Sequence, residues 1–230
     1  MVALYLYFTG ESEDVAVVSA AITEQQISSE VSAPIAPISK DTKPLPVTQR
    51  RAQSPAPRRI GLVAGHSGFD SGALCADGLT EVQITSSIVE RLATELRSRE
   101  ITVDTLDEFD PRLDGYTAAA LISIHADSCD YINELATGFK ISGSSYVDSS
   151  ELSICMQQRY AEETQLPYHP NSITPHMVNY HAFSKIDSGT PAVIIEIGFL
   201  NLDRVILTDD SEKVVSGLLE GLTCFLDQSR

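Results

Sequence analysis

Three short apolar runs, each rich in β-branched residues and each closing on a titratable side chain, constrain this chain more than any other feature. Residues 60–64 lead into His66, residues 119–124 into His125, and residues 191–195 into Glu196. Runs of this length, bounded by glycine, proline or polar residues, suit strands buried on both faces, as in a parallel sheet covered by helices. Ligand sites in such open sheets lie just beyond the C-terminal ends of the strands. The expectation is that His66, His125 and Glu196 arrive at one sheet edge.

Between the first run and the first helix lies the loop Gly65-His66-Ser67-Gly68-Phe69-Asp70-Ser71-Gly72-Ala73. Its glycines permit tight turning. Thr80 with Gln83 reads as a capping box that opens a helix, so Glu81 falls in the first turn, where the helix dipole favours its ionised form. Alone, His66 reads as a turn residue and Glu81 as a complement to the dipole. Together with His125 they supply three ligands of borderline-soft character and leave a fourth tetrahedral position open, the arrangement of a catalytic zinc site. Glu196 is then the spare carboxylate.

In order and spacing these segments resemble the zinc-dependent N-acetylmuramoyl-L-alanine amidases of the bacterial cell wall, the amidase-3 family. The first family motif, Gly-His-Gly-Gly-x-Asp-x-Gly-Ala, is matched by residues 65–73 with Ser67 as the one difference. Glu81 matches the family's metal glutamate, Ser123-Ile124-His125-Ala126-Asp127 its second histidine motif, and residues 191–200 its Pro-Ala-Val through Glu-x-Gly-Phe-Leu segment. The resemblance spans about residue 59 to the C-terminus. It implies an open, largely parallel twisted α/β sheet with helices on both faces, Zn2+ on His66, Glu81 and His125, and Glu196 as catalytic acid/base. The substrate implied is peptidoglycan, cleaved at the amide between N-acetylmuramic acid and L-alanine. The chain also departs from the family. Val63 replaces an aspartate three residues before the first metal histidine, and the helix carrying an arginine and an Ala-Asn pair ahead of the second is missing, leaving the short segment 106–117.

The rest of the chain sets the context. Residues 1–58 are expected to be a disordered Pro/Ser/Ala-rich segment or linker, because prolines at 34, 37, 44, 46, 55 and 57 prevent a continuous helix. Its apolar start, residues 1–8, lacks a basic flank and a cleavage site; it reads as a plain apolar start or as the end of an anchor, making a membrane tether part of the expectation. The domain proper is assigned to residues 59–230. The net charge of −16 falls entirely on residues 60–230, so nucleic acid is excluded as a partner for want of a basic face. The expected location is extracytoplasmic.

Helical periodicity predicts helices over about 81–98, 150–164 and 211–226, and strands over 101–105 and 137–142. The proline-broken stretch 165–186 reads as a loop whose histidines, His169, His176 and His181, are exposed polar residues or line the substrate cleft. The resemblance also implies an open cleft, since family members held inactive carry an extra helix that this stretch has no room to form. Cys155 and Cys224 read as small core hydrophobes. Cys75 and Cys129 follow metal-bearing strands, and whether they pair is left open, as is a nucleophilic Cys129. Competing functional readings are another zinc amidohydrolase or peptidase, and a non-catalytic wall-binding descendant.

Overall fold

The computed structural model describes residues 58–228; the expected linker and apolar start lie outside the described residues. The elements are β1 (Arg59–Ala64), α1 (Glu81–Ser98), β2 (Thr102–Leu106), β3 (Ala120–Asp127), β4 (Lys140–Gly143), α2 (Ser150–Thr164), α3 (Pro175–Val178), β5 (Ala192–Phe199), α4 (Arg204–Thr208) and α5 (Ser211–Gln228). Single 3-10 turns occupy Pro111–Leu113, Pro170–Ser172 and His181–Ser184. The strands form one sheet in the order β2-β1-β3-β5-β4, parallel except for β4, which runs antiparallel to β5 at the edge.

α1 starts where the sequence places it. Thr80 accepts from the Gln83 backbone, and the Gln83 side chain accepts from the Thr80 N–H at 3.0 Å, so two orphan donors are satisfied reciprocally. β4 begins later than its apolar pattern suggests. Gly138 has φ +108, and a Cβ there would meet the Pro167 carbonyl oxygen at 2.2 Å, so the chain turns tightly before it can pair.

Strand alternation divides the core. Ile60, Leu62, Ile122, Ile124, Val193 and Ile195 face α1, α2 and α5, whose Leu92, Leu96, Met156, Tyr160, Leu218 and Leu222 cover them. Val63, Leu121, Ala192 and Ile194 point the other way, under Leu113, Tyr116, Met177, Tyr180, Phe183 and Ile186. Helices thus lie on both faces, long ones on the first and single-turn ones on the second.

α2 and α5 approach closely at Gly221, where a Cβ would meet Met156 Sδ at 2.7 Å. That approach lets Cys155 and Cys224 bond, with Cα atoms 5.7 Å apart. The expectation that these two are merely small core hydrophobes is corrected: they form a covalent tie between the helices, which depends on the axial offset of two elements that periodicity leaves free. Cys75 and Cys129 also form a disulfide, Cα to Cα 5.2 Å, joining the loop ahead of α1 to the loop after β3. Cys129 is therefore no free nucleophile.

Candidate metal centre and acid/base site

The β1–β3 ladder continues one step past β1, with the Gly65 N–H donating to the Ile124 carbonyl at 2.9 Å; the chain then turns at His66, whose φ is +68. A non-glycine residue rarely adopts this conformation. A side chain at Gly65 would collide with the His125 ring at 2.5 Å, and one at Gly72 with Glu81 Oε2 at 2.6 Å and His66 Cδ2 at 2.7 Å. These two glycines leave the space in which the three titratable side chains meet.

Glu81, 5% exposed, stands at the head of α1. Its Oε2 accepts from the Ala73 N–H and its Oε1 from the Ala126 N–H, each at 3.1 Å. The same two oxygens lie 3.2 Å from His66 Nε2 and from His125 Nδ1. One ligand atom from each of His66, Glu81 and His125 falls within 4.8 Å of the others. Burial alone would raise the Glu81 pKa, but the His125 contact and the two backbone N–H groups outweigh it and hold the carboxyl below its usual range.

The ring nitrogens on the far side are occupied. His66 Nδ1 lies 2.5 Å from Asp70 Oδ1, and an ionised carboxylate only accepts, so Nδ1 carries the proton and Nε2 turns its lone pair toward Glu81. His125 Nε2 faces Glu108 Oε2 at 3.4 Å, leaving Nδ1 toward Glu81 Oε1. Two imidazole lone pairs and a carboxylate facing one point repel one another unless a cation or proton intervenes. In the metal-free protein His125 takes up that proton: burial would lower its pKa, yet Glu108 and Glu81 together push it up to about 10. The donor set, two nitrogens and one oxygen in a pocket that demands positive charge, fits a zinc ion.

Glu196 sits in β5 with His125 of β3 as its register partner on one side and Lys140 of β4 on the other. Its Oε2 is inaccessible and has no hydrogen-bond partner. Burial raises the Glu196 carboxyl to about 7, against the opposing pull of His125. Lys140 is a buried cation beside it, whose ammonium engages Asp127 Oδ2 at 2.7 Å.

Four further residues join the site. Asp70 orients His66. Glu108, buried among acidic neighbours that read as a surface charge run, accepts from the Tyr180 hydroxyl at 3.0 Å and contacts His181 Nε2 at 2.8 Å. His181 thus points inward, which decides between its two readings against the exposed one. His176 is exposed, and half-buried His169 bonds Ser172 Oγ and the Leu135 carbonyl instead. Beside the group, Phe69 and Phe109 meet edge to face at 4.7 Å, and Phe109 stacks on His181 at 4.3 Å.

The profile of the Amidase_3 family, described as N-acetylmuramoyl-L-alanine amidase, matches residues 60–223. The chain belongs to that amidase family. Solved structures agree on the fold. A Clostridioides difficile amidase, CwlD, in complex with the GerS lipoprotein is 23% identical, with TM-score 0.57, and the match covers 74% of this chain and 99% of that one. An N-acetylmuramoyl-L-alanine amidase from Clostridium difficile 630 is 18% identical, TM-score 0.59, over 75% and 98%. The amidase Ami1 from Mycobacterium smegmatis is 16% identical, TM-score 0.57, over 75% and 98%. No curated protein matches the sequence. Membership of the family makes the chain an amidase of the cell-wall class, and among the described residues the His66–Glu81–His125 group is the one cluster able to hold a metal.

Proposed function

We propose that this amidase is zinc-dependent and cleaves the bond between the lactyl group of N-acetylmuramic acid and the L-alanine of the peptidoglycan stem. His66 Nε2, a Glu81 oxygen and His125 Nδ1 hold the ion, and Glu196 is the acid/base. The observation that carries this reading is Glu196 Oε2, buried without a hydrogen bond and set one strand away from His125. Zinc held there supplies Lewis acidity toward the amide carbonyl and toward water.

The chain's own residues do the rest. Asp70 holds the His66 ring in the tautomer that aims Nε2 at the common point. Glu196, whose carboxyl burial pushes up in the metal-free protein, is the side chain placed to take a proton from water and to return it to the departing alanine amine.

Two disulfides among the described residues suit an oxidising compartment, which supports action outside the cytoplasm. The metal group contains no side chain from 142–186, which supports hydrolysis without an activating partner. Incubating the zinc-loaded protein with purified peptidoglycan and identifying the products by mass spectrometry tests the proposal. Release of stem peptides with a free L-alanine amine is expected. Cleavage elsewhere in the stem would make it a zinc peptidase, and no cleavage a non-catalytic wall binder.

A further inference from the structure

The segment after β2 is stitched to the first histidine loop at several points. The Glu108 N–H donates to the Ser67 carbonyl at 3.0 Å, and Ser67 Oγ donates to Asp107 Oδ1 at 2.6 Å. These bonds deliver Glu108, 6% exposed, into the space behind the metal group. Its two oxygens divide their work. Oε2 accepts the His66 backbone N–H at 3.0 Å and lies 3.4 Å from His125 Nε2; Oε1 faces the Tyr180 hydroxyl and His181 Nε2. Tyr180 is itself directed by Ser123 Oγ, which donates to its hydroxyl at 2.9 Å.

His125 Nε2 is buried and makes no hydrogen bond, and Glu108 Oε2 lies 3.4 Å from it. A histidine that ligates through Nδ1 carries its proton on Nε2, and an N–H buried against nothing is costly. Glu108 Oε2 is the carboxylate oxygen within ion-pair reach of it. His66 holds a left-handed backbone conformation that persists only when its surroundings over-determine it, and its N–H is fixed by the same oxygen.

We propose that Glu108 is a positioning residue of the metal centre, one carboxylate setting both metal histidines: the tautomer of His125 through Nε2 and the backbone of His66 through its N–H. The inference rests on the zinc assignment above. It differs from a merely structural role, in which Glu108 would balance buried positive charge and leave metal affinity untouched.

The test is zinc affinity by competition with a chromophoric chelator, together with the visible absorption of the cobalt-substituted protein, for the parent, Glu108→Gln, Glu108→Asp and His181→Gln. Glu108→Gln is expected to weaken zinc binding by about 10- to 100-fold and to alter the cobalt bands. His181→Gln, which removes the contact on Oε1 and leaves Oε2 beside His125, is expected to weaken zinc binding less than Glu108→Gln does. Should Glu108→Gln not fold, Glu108→Asp decides, because it keeps the buried charge and withdraws it from His125: weakened affinity supports positioning. Parent-like affinity and cobalt spectrum in the substituted protein that folds would overturn the inference alone. A parent that binds neither zinc nor cobalt would overturn the metal assignment and the inference with it.

Discussion

The two faces of the sheet are closed by different means. On one, three amphipathic helices of four to five turns lay continuous aliphatic stripes on Ile60, Ile122 and Ile195. On the other, 3-10 turns and the single turn of α3 cover Val63, Leu121 and Ile194 with Tyr116, Met177, Tyr180 and Phe183, leaving room near the strand ends for Ser123, His125, Glu108 and Glu196. Regular helices bury area with few polar groups to satisfy. Turn-rich cover leaves buried polar groups that must find partners, and those partners are what a reaction centre uses. The comparison teaches that the helical face is closed mainly by apolar area, while the buried polar groups of the site, Glu81 at the head of α1 apart, gather on the turn-rich face.

The sharpest way to break that division is Glu196→Gln. Loss of hydrolysis by about 100-fold or more is expected, with zinc retained, because the amide keeps the shape but cannot accept a proton. Folding disfavours the ionised form of Glu196, whose carboxyl titrates at about 7 against an ordinary 4.5. The folded state therefore binds more protons than the unfolded state between those values, and metal-free parent loses stability as pH rises through that window. The variant, with nothing to ionise there, does not. Activity within a few-fold of the parent, or identical pH profiles of melting, would contradict the assignment.

On the opposite face, Leu222→Ala is expected to cost about 2–5 kcal/mol in urea unfolding as a cavity opens beneath α5. Zinc affinity is expected to hold within about twofold, since distant sites act independently. A large fall in affinity would mean that the two faces are not separable.

Replacing Cys155 and Cys224 together by alanine tests the tie between α2 and α5. A loss of about 2–4 kcal/mol is expected. The same exchange at Cys75 and Cys129 is expected to weaken zinc binding as well, since that bridge fastens the loops beside Glu81 and His125. Equal effects of the two pairs on metal affinity would blur the distinction.

The smallest change is Tyr180→Phe. It removes the hydroxyl that donates to Glu108 and accepts from Ser123, leaving a buried hydroxyl without its acceptor, at a cost of about 1–3 kcal/mol measured by calorimetry. A neutral result would show that the turn-rich face tolerates loss of its polar links.

Much of the helical face was readable in advance. Capping at Thr80, the stripe of α1 and the β-branched runs are local signals, and α1 and α2 begin and end where their periodicity says. His66, Glu81, His125 and Glu196 were readable because each closes or opens such an element. Glu108 was not, for its neighbours Asp107 and Asp110 make it look like solvated charge, and only the fold turns it inward. His181 and Tyr180 sit in a stretch without periodicity. The Cys155–Cys224 bond needed the offset of two helices, which no local pattern encodes. α4 is too short to announce itself.

The register pairing of His125 with Glu196 has a consequence for how such an enzyme can change. Neighbouring strands stand about 4.8 Å apart wherever a sheet exists, so the distance between the proposed metal ligand His125 and the proposed acid/base Glu196 is set by the backbone ladder rather than tuned by loops. A lineage can therefore shorten, lengthen or exchange the segments after β2 and before β5, altering which cell-wall fragment is admitted, without having to rediscover the geometry of bond cleavage.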